Sequence, residues 1–225
     1  MRASTLVSFT CCCGARAYIA RSVWQRLEED LVETTSALRI GDVRDLTNFS
    51  SAVIDQRAYT KLEAAIGRAR DAADATIIAG GECDDQDGWY VRPTLIVSDN
   101  PRQEIFSTEY FGPILGIHVY DDADFAATLD EVDQASPYGL TGAIIANDRA
   151  ALALATERLR QAAGNFYLND KPTGAVVGQQ PFGGSRASGT NDKSGSMWNL
   201  IRWTSPRSIK ETLVPPAEHS YPHMA

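Results

Sequence analysis

Residues 165–193, NFYLNDKPTGAVVGQQPFGGSRASGTNDK, decide how the rest of the chain is read. Asn165 to Leu168 has the apolar density of a short strand. The residues after Leu168 have no helix-compatible spacing, and Gly174, Gly178, Gly183, Gly184 and Gly189 recur through them at close intervals. A loop that long inside a compact domain is as a rule functional or disordered. Phe166, Tyr167, Leu168, Val176, Val177 and Phe182 argue against disorder, which needs low hydrophobicity. The stretch therefore reads as a strand leading into an ordered loop. Two roles fit it equally on pattern: a loop shaped to receive something small, or a surface Ω-loop that binds nothing.

Moving outward from Asn165, the pattern alternates. Gly139 to Ile145 is strand-like, and Asn147 or Asp148 opens a helix that turns Leu152, Ala155 and Leu159 inward. Before them, Ile114 to Tyr120 (ILGIHVY) is a strand, and Asp121 or Asp122 caps a helix through Phe125, Leu129 and Val132. Strand, helix, strand, helix, strand at this spacing predicts an α/β fold with an open, mostly parallel sheet and flanking helices. Ser22 to Leu38 reads as a helix with Ser22 as its N-cap and a stop at Gly41, and Asp55 to Ala73 as a second. Ala75 to Ala79 is a short strand. Tyr90 to Val97 is strand-like but interrupted by Pro93, which predicts an edge or irregular strand. Downstream, Leu200 to Val214 (LIRWTSPRSIKETLV) reads as an extended strand pair or arm, and Pro215-Pro216 opens a tail.

The net charge of -8 carries no basic stripe, which argues against a nucleic-acid partner. No apolar run approaches the length of a membrane span, so no membrane role is expected. Cys11, Cys12 and Cys13 are consecutive and Cys83 stands apart, which is no disulfide framework. Consecutive residues cannot all face one metal, and no His lies near them, so no metal site is expected. The opening MRASTLVSFT is too short in its apolar patch for a secretory signal. A reducing compartment, the cytoplasm by default, is the expected location.

Ligands in an open parallel sheet gather outside the carboxyl ends of its strands, and three segments are candidates to line such a site. In Glu104 to Pro113, Glu109 stands two residues before Phe111-Gly112-Pro113. A carboxylate there can accept from two vicinal ribose hydroxyls while a ring packs on a flat base; an acidic turn whose Phe fills core space fits as well. The cysteine triplet offers a thiolate nucleophile, or equally a set of buried small apolar residues. The loop after Leu168 is the third.

Several runs carry a resemblance. Glu109-Tyr110-Phe111-Gly112-Pro113 is similar to the E-x-F-G-P motif of the aldehyde dehydrogenase superfamily, and Pro181-Phe182-Gly183-Gly184 to its P-F-G-G motif. SPYGLTGAI, AAGNFYLNDKPTGAVVGQQPFGG, RASGTNDK, FSSAVID and RWTSPRSIKET resemble the pyrroline-carboxylate branch, and the likeness runs from Arg16 onward. The resemblance implies an NAD-dependent oxidation of L-glutamate γ-semialdehyde to L-glutamate through a cysteine thiohemiacetal and thioester. Counting back from Arg16-Ala17-Tyr18, it places the nucleophile at Cys11. It assigns Glu109 to the nicotinamide ribose and Phe111 to a place beside the nicotinamide. By the same resemblance Phe182 would line the substrate's aliphatic stem, and Gly174 and Ala175 would meet its carboxylate. Cys12 stands where the family writes a Ser that also donates to that carboxylate.

The residues before Cys11 lack the family's glutamine- and glycine-rich approach. The implied layout is an atypical lead over 1–10, a catalytic domain over 11–199, an oligomerisation arm over 200–214 and a tail over 215–225. Homo-oligomers are implied for the full-length family, with a mitochondrial matrix location in eukaryotes. Family members are more than twice as long. The portion with no counterpart here would hold the dinucleotide-binding domain, so the chain by itself is expected to be incompetent, or to act without catalysis through its oligomerisation surface.

Overall fold

The computed structural model describes residues 5–10, 15–172, 176, 178–189, 193–215, 217 and 219–224, with residues 5–10 described by their backbone alone. In chain order, the first elements are β1 (Thr5–Thr10), β2 (Arg16–Ala20), α1 (Arg21–Ala37) and α2 (Gln56–Asp71). Four strands come next: β3 (Ala75–Ala79), β4 (Cys83–Asp84), β5 (Tyr90–Val91) and β6 (Thr94–Ser98). The middle of the chain forms α3 (Glu104–Ser107), β7 (Ile114–Tyr120), α4 (Phe125–Gln134), β8 (Tyr138–Gly139) and β9 (Thr141–Ala146). The chain continues through α5 (Arg149–Arg158), β10 (Asn165–Leu168), β11 (Ser185–Arg186) and α6 (Met197–Ile201).

A seven-stranded sheet in the order β10-β9-β1-β2-β7-β6-β3 forms the centre. β2, β6 and β7 pair in parallel, as do β9 and β10, while β1 runs antiparallel to both β2 and β9. Five strands therefore share one direction, with β1 inserted between them and β3 antiparallel at the far edge. Strand alternation sends Tyr18 and Ala20 to one face, where they pack with Leu62 and Ile66 of α2, Leu129 of α4 and Leu152 of α5. Ala17 and Ile19 point to the other face and meet Trp24, Leu27 and Leu31 of α1, together with Ile117 and Val119. This double cover produces the mostly parallel, flanked sheet expected from the strand–helix alternation.

Local signals and structure agree where the partner is close in sequence. Asp55 caps α2 by accepting from Ala58 N–H, and Asp148 caps α5 by accepting from Ala150 N–H. Four readings need correction. Ser22 is not a cap: α1 starts one residue earlier, and Asp122 accepts from the Ser22 N–H at 3.0 Å and from its hydroxyl. Asp121 binds Arg21 at 2.6 Å, so neither aspartate caps its own helix, which is preceded by a 3₁₀ turn over Asp122–Asp124. Tyr90 to Val97 is not one edge strand. Pro93 falls in the break between β5 and β6, outside the ladder that its missing N–H would disturb, and β6 is an interior strand. Leu200 to Val214 forms no strand pair. Leu200 and Ile201 end α6, and the residues beyond them are exposed, without a ladder to any described strand. A lone ribbon with no packed face does not hold itself together.

No helix among the described residues is long and apolar enough to cross a membrane.

Candidate functional site

The strands that share a direction all begin at one edge of the sheet, and the described candidates, Glu109, Phe111 and Phe182, stand there rather than at the carboxyl ends. Arg16 opens β2, Gly112-Pro113 precedes β7, Thr141 opens β9 and Asn165 opens β10. Because β1 runs the opposite way, its last residue, Thr10, pairs with Thr141, which in turn pairs with Asn165. Among the described residues the expectation of a carboxyl-end site is not met by the loop before β7, which falls on the amino edge, as do Thr10 and Ala15 on either side of the cysteine segment. The loop after Leu168 does leave from the carboxyl edge, but its later part returns. Asn165 contacts Pro181 and Gly183, and Ser188 Oγ accepts from Gly139 N–H.

A cleft opens on this edge between Arg16, Thr108, Glu109, Tyr138, Gly139 and Thr141. Glu109 is held there by its main chain, whose carbonyl accepts from Lys61 Nζ at 2.7 Å. The next residue, Tyr110, donates its hydroxyl to Glu104, which Arg68 grips through both Nε and Nη2 at 3.0 and 2.6 Å. Gly112 sits so close to α2 that a Cβ on it would lie 2.4 Å from the Leu62 side chain. Pinned on both sides, Phe111 takes φ 61° and turns its ring into solvent, 77% exposed. That backbone state costs a bulky residue of order 1–2 kcal/mol and persists only because its neighbours determine it.

Arg16 anchors the same loop from β2, donating from Nη1 to Phe106 O at 2.6 Å. Burial pulls its guanidinium below its ordinary pKa, opposed by the fields of Tyr18 and Glu109.

Phe182 is fixed by its backbone. Its N–H and C=O both pair with Ser194, and the amide of Asn165 contacts the peptide groups on either side. A Cβ on Gly164 would come within 1.9 Å of Gly183 O, so the P-F-G-G turn rests directly on the start of β10. Glu109 and the Phe182 turn thus lie along one edge, joined through Thr141 and Asn165. Cys11, Cys12 and Cys13 of the nucleophile segment, and Gly174 and Ala175 of the carboxylate cradle, lie outside the described residues. The residues flanking the cysteines, Thr10 and Ala15, are both on this edge. Cys83, remote from it, has its thiol pushed up by burial.

Sequence reasoning missed Lys61, Arg68 and Arg16 as supports of the loop. Lys61 and Arg68 are seven residues apart, two helical turns, and so share one face of α2; that spacing was the available signal. What the face looks toward was not readable. Among the described residues, no group of three His, Cys, Asp or Glu is placed to hold a metal ion.

Comparison with known proteins points the same way. Residues 9–209 match the aldehyde dehydrogenase family. The delta-1-pyrroline-5-carboxylate dehydrogenase, mitochondrial, of Dictyostelium discoideum is 49% identical over 214 residues, covering 95% of this chain and 38% of that protein. The Homo sapiens protein of the same name is 45% identical, with 95% and 38% covered. A crystal structure of the delta-pyrroline-5-carboxylate dehydrogenase from Mycobacterium tuberculosis bound with NAD superposes with a TM-score of 0.83 at 57% identity, covering 93% of this chain and 38% of that one. The chain therefore spans less than two fifths of the length of these relatives.

Proposed function

Since the chain belongs to the aldehyde dehydrogenase family, we propose that it carries the catalytic segment of an NAD-dependent 1-pyrroline-5-carboxylate dehydrogenase, which oxidises L-glutamate γ-semialdehyde to L-glutamate. The observation that supports this best is the Glu109–Pro113 loop, clamped from two helices and a strand so that a carboxylate and an exposed ring stand two residues apart. These groups fit the nicotinamide riboside end of NAD. The Glu109 carboxylate would accept from the ribose hydroxyls, and the Phe111 ring would pack beside the base. No G-x-G-x-x-G occurs in the sequence to take the pyrophosphate, so this segment serves that one end of the cofactor. NAD, when bound, supplies the hydride acceptor.

The remaining roles belong to the chain's own residues. The Cys11 thiolate attacks the aldehyde carbon, and its backbone N–H is one donor to the developing oxyanion. The Gly174 and Ala175 N–H groups hold the substrate carboxylate, where the absence of bulk lets the main chain approach. The Cys12 thiol is a weaker donor to that carboxylate than the Ser hydroxyl implied by the family resemblance at this position. Phe182 walls the aliphatic stem. A reducing compartment suits a thiolate nucleophile, and homo-oligomers suit the exposed C-terminal segment.

The test is made in a complete enzyme carrying this segment. NAD reduction with glutamate semialdehyde is expected, and its absence overturns the assignment. Gly174→Val is expected to raise KM for glutamate semialdehyde far more than for a simple alkyl aldehyde; equal losses on both overturn the carboxylate cradle. The isolated chain is expected to form no NADH, while Cys11 still alkylates with iodoacetamide.

A second reading draws on the exposed apolar row at the C-terminus, where Trp203 is 82% and Leu213 90% exposed. Such a row marks an interaction surface, through which a non-catalytic form would act. Size-exclusion chromatography with and without a full-length relative separates the two, since only the second reading requires mixed oligomers.

A further inference from the structure

Asn165 opens β10 opposite Thr141 and spans the turn that carries Phe182. Its Nδ2–H donates to Pro181 O at 2.8 Å, and its Oδ1 accepts from Gly183 N–H at 3.1 Å. A carbonyl must be met by a donor and an N–H by an acceptor, so the two contacts define which end of the amide is which. From the other side, Phe182 N–H donates to Ser194 O at 2.9 Å, and Phe182 O accepts from Ser194 N–H at 2.8 Å. Lys193 Nζ adds a bond to Gly183 O at 2.7 Å. The peptide groups on both sides of Phe182 are therefore committed, two of them to one side chain rooted in the sheet.

We propose that Asn165 is a positioning residue: its amide sets where the Phe182 ring stands, and through it how the site receives the aliphatic stem of an amino-acid aldehyde. The proposal rests on the reading of Phe182 as the wall of that stem. Few side chains could replace it. Asp has the same shape but would turn an oxygen toward the Pro181 carbonyl, where a donor is required. Gln carries the amide one carbon too far from the strand, and Ala offers neither bond. Both ends of its amide are bonded to the turn, so its influence on the site is taken to run through Pro181 and Gly183.

The full chain is compared with Asn165→Ala and Asn165→Asp by amide hydrogen exchange and by titration with L-glutamate, the product of the proposed reaction. Loss of one hydrogen bond in Asn165→Ala is expected to speed Gly183 exchange about tenfold, with the amides of β9 unchanged as a check on the fold. Asn165→Asp keeps Gly183 protected, because a carboxylate oxygen still accepts there. Yet it is expected to bind L-glutamate about tenfold more weakly, as Asn165→Ala does, since the ring is displaced. A purely structural asparagine would move both readouts together in both variants. Gly183 exchange that Asn165→Ala leaves unmoved, or L-glutamate affinity that Asn165→Asp leaves unmoved, overturns the proposal. Failure of the unsubstituted chain to bind L-glutamate counts against the reading of the site, and Gly183 exchange then decides by itself whether Asn165 holds the turn.

Discussion

Tyr110 donates its hydroxyl to Glu104 at 2.7 Å, and this bond ties the loop that carries Glu109 and Phe111 back to its own start. Arg68 holds the same carboxylate from α2 with two N–H groups. The intervening residue that matters, Glu109, is thus carried on a closed ring of chain and side chains rather than on a free loop. Hydrogen bonds from Arg68 hold Glu104 below the usual carboxylate range, and burial pushes Tyr110 well above the usual phenol range.

Glu104→Gln should cost about 0.5–1 kcal/mol at pH 7, the scale of a partly exposed ion pair. The sign with pH comes from the lowered carboxylate. The unfolded chain binds its proton first, so the contribution is complete above the unfolded pKa and lost as pH falls through the folded one. Urea midpoints at pH 7 and pH 3 should therefore differ less for the variant than for the wild type. A constant gap between them would sink the assignment.

Tyr18 is fully buried, and its hydroxyl has no hydrogen-bond partner among the described residues. Tyr18→Phe should be neutral or stabilise by up to about 1 kcal/mol at pH 7. Burial also pushes the phenol up to about 12. Stability from this group is intact below the unfolded pKa, near 10, and declines as pH rises from there through the folded value. The wild type should lose about 3 kcal/mol over that window, and the variant should be spared that loss. Chemical denaturation from pH 9 to pH 12 reads the difference directly.

Gly164→Ala drives a methyl into the Gly183 carbonyl and the Gly184 backbone, which cannot swing aside as a side chain could. A loss of about 1–3 kcal/mol is expected, with faster amide exchange at Gly183. Wild-type exchange there, together with an unchanged melting temperature, would mean that the turn does not sit on β10 as described.

Phe111→Gly relieves a left-handed backbone while removing a ring that buries little. Stability should hold or rise by up to about 1 kcal/mol, the conformational relief being offset by the freer unfolded chain. In a complete enzyme, KM for NAD should rise at the same time. A fall in stability comparable to that of a core deletion would show that the ring packs rather than binds.

The long helices, most of the strands and the helix starts at Asp55 and at Asn147 or Asp148 could be read from the chain because each depends on residues within a turn or two of one another. Asp55 and Asp148 meet backbone N–H groups two or three positions on, and the inward faces of α2 and α5 match the helical period. Ser22 defeated the same reasoning because its partner, Asp122, is 100 residues away. The loop residues Glu109 and Phe111 stood out through their resemblance to a motif. Arg16, Lys61 and Arg68, which hold that loop, carry no motif of their own.

By itself, then, the sequence determined the α/β class, the long helices and the longer strands from Ala75 onward, since periodicity and capping are short-range properties of the chain; β1 and β2 were not legible in it. Only the tertiary structure decided that Glu109 and the Phe182 turn lie at the amino edge of the sheet, and that Asn165 reaches Pro181 and Gly183. Both depend on strand order: β1 enters between β9 and β2 against their direction, and no local pattern encodes which strands become neighbours.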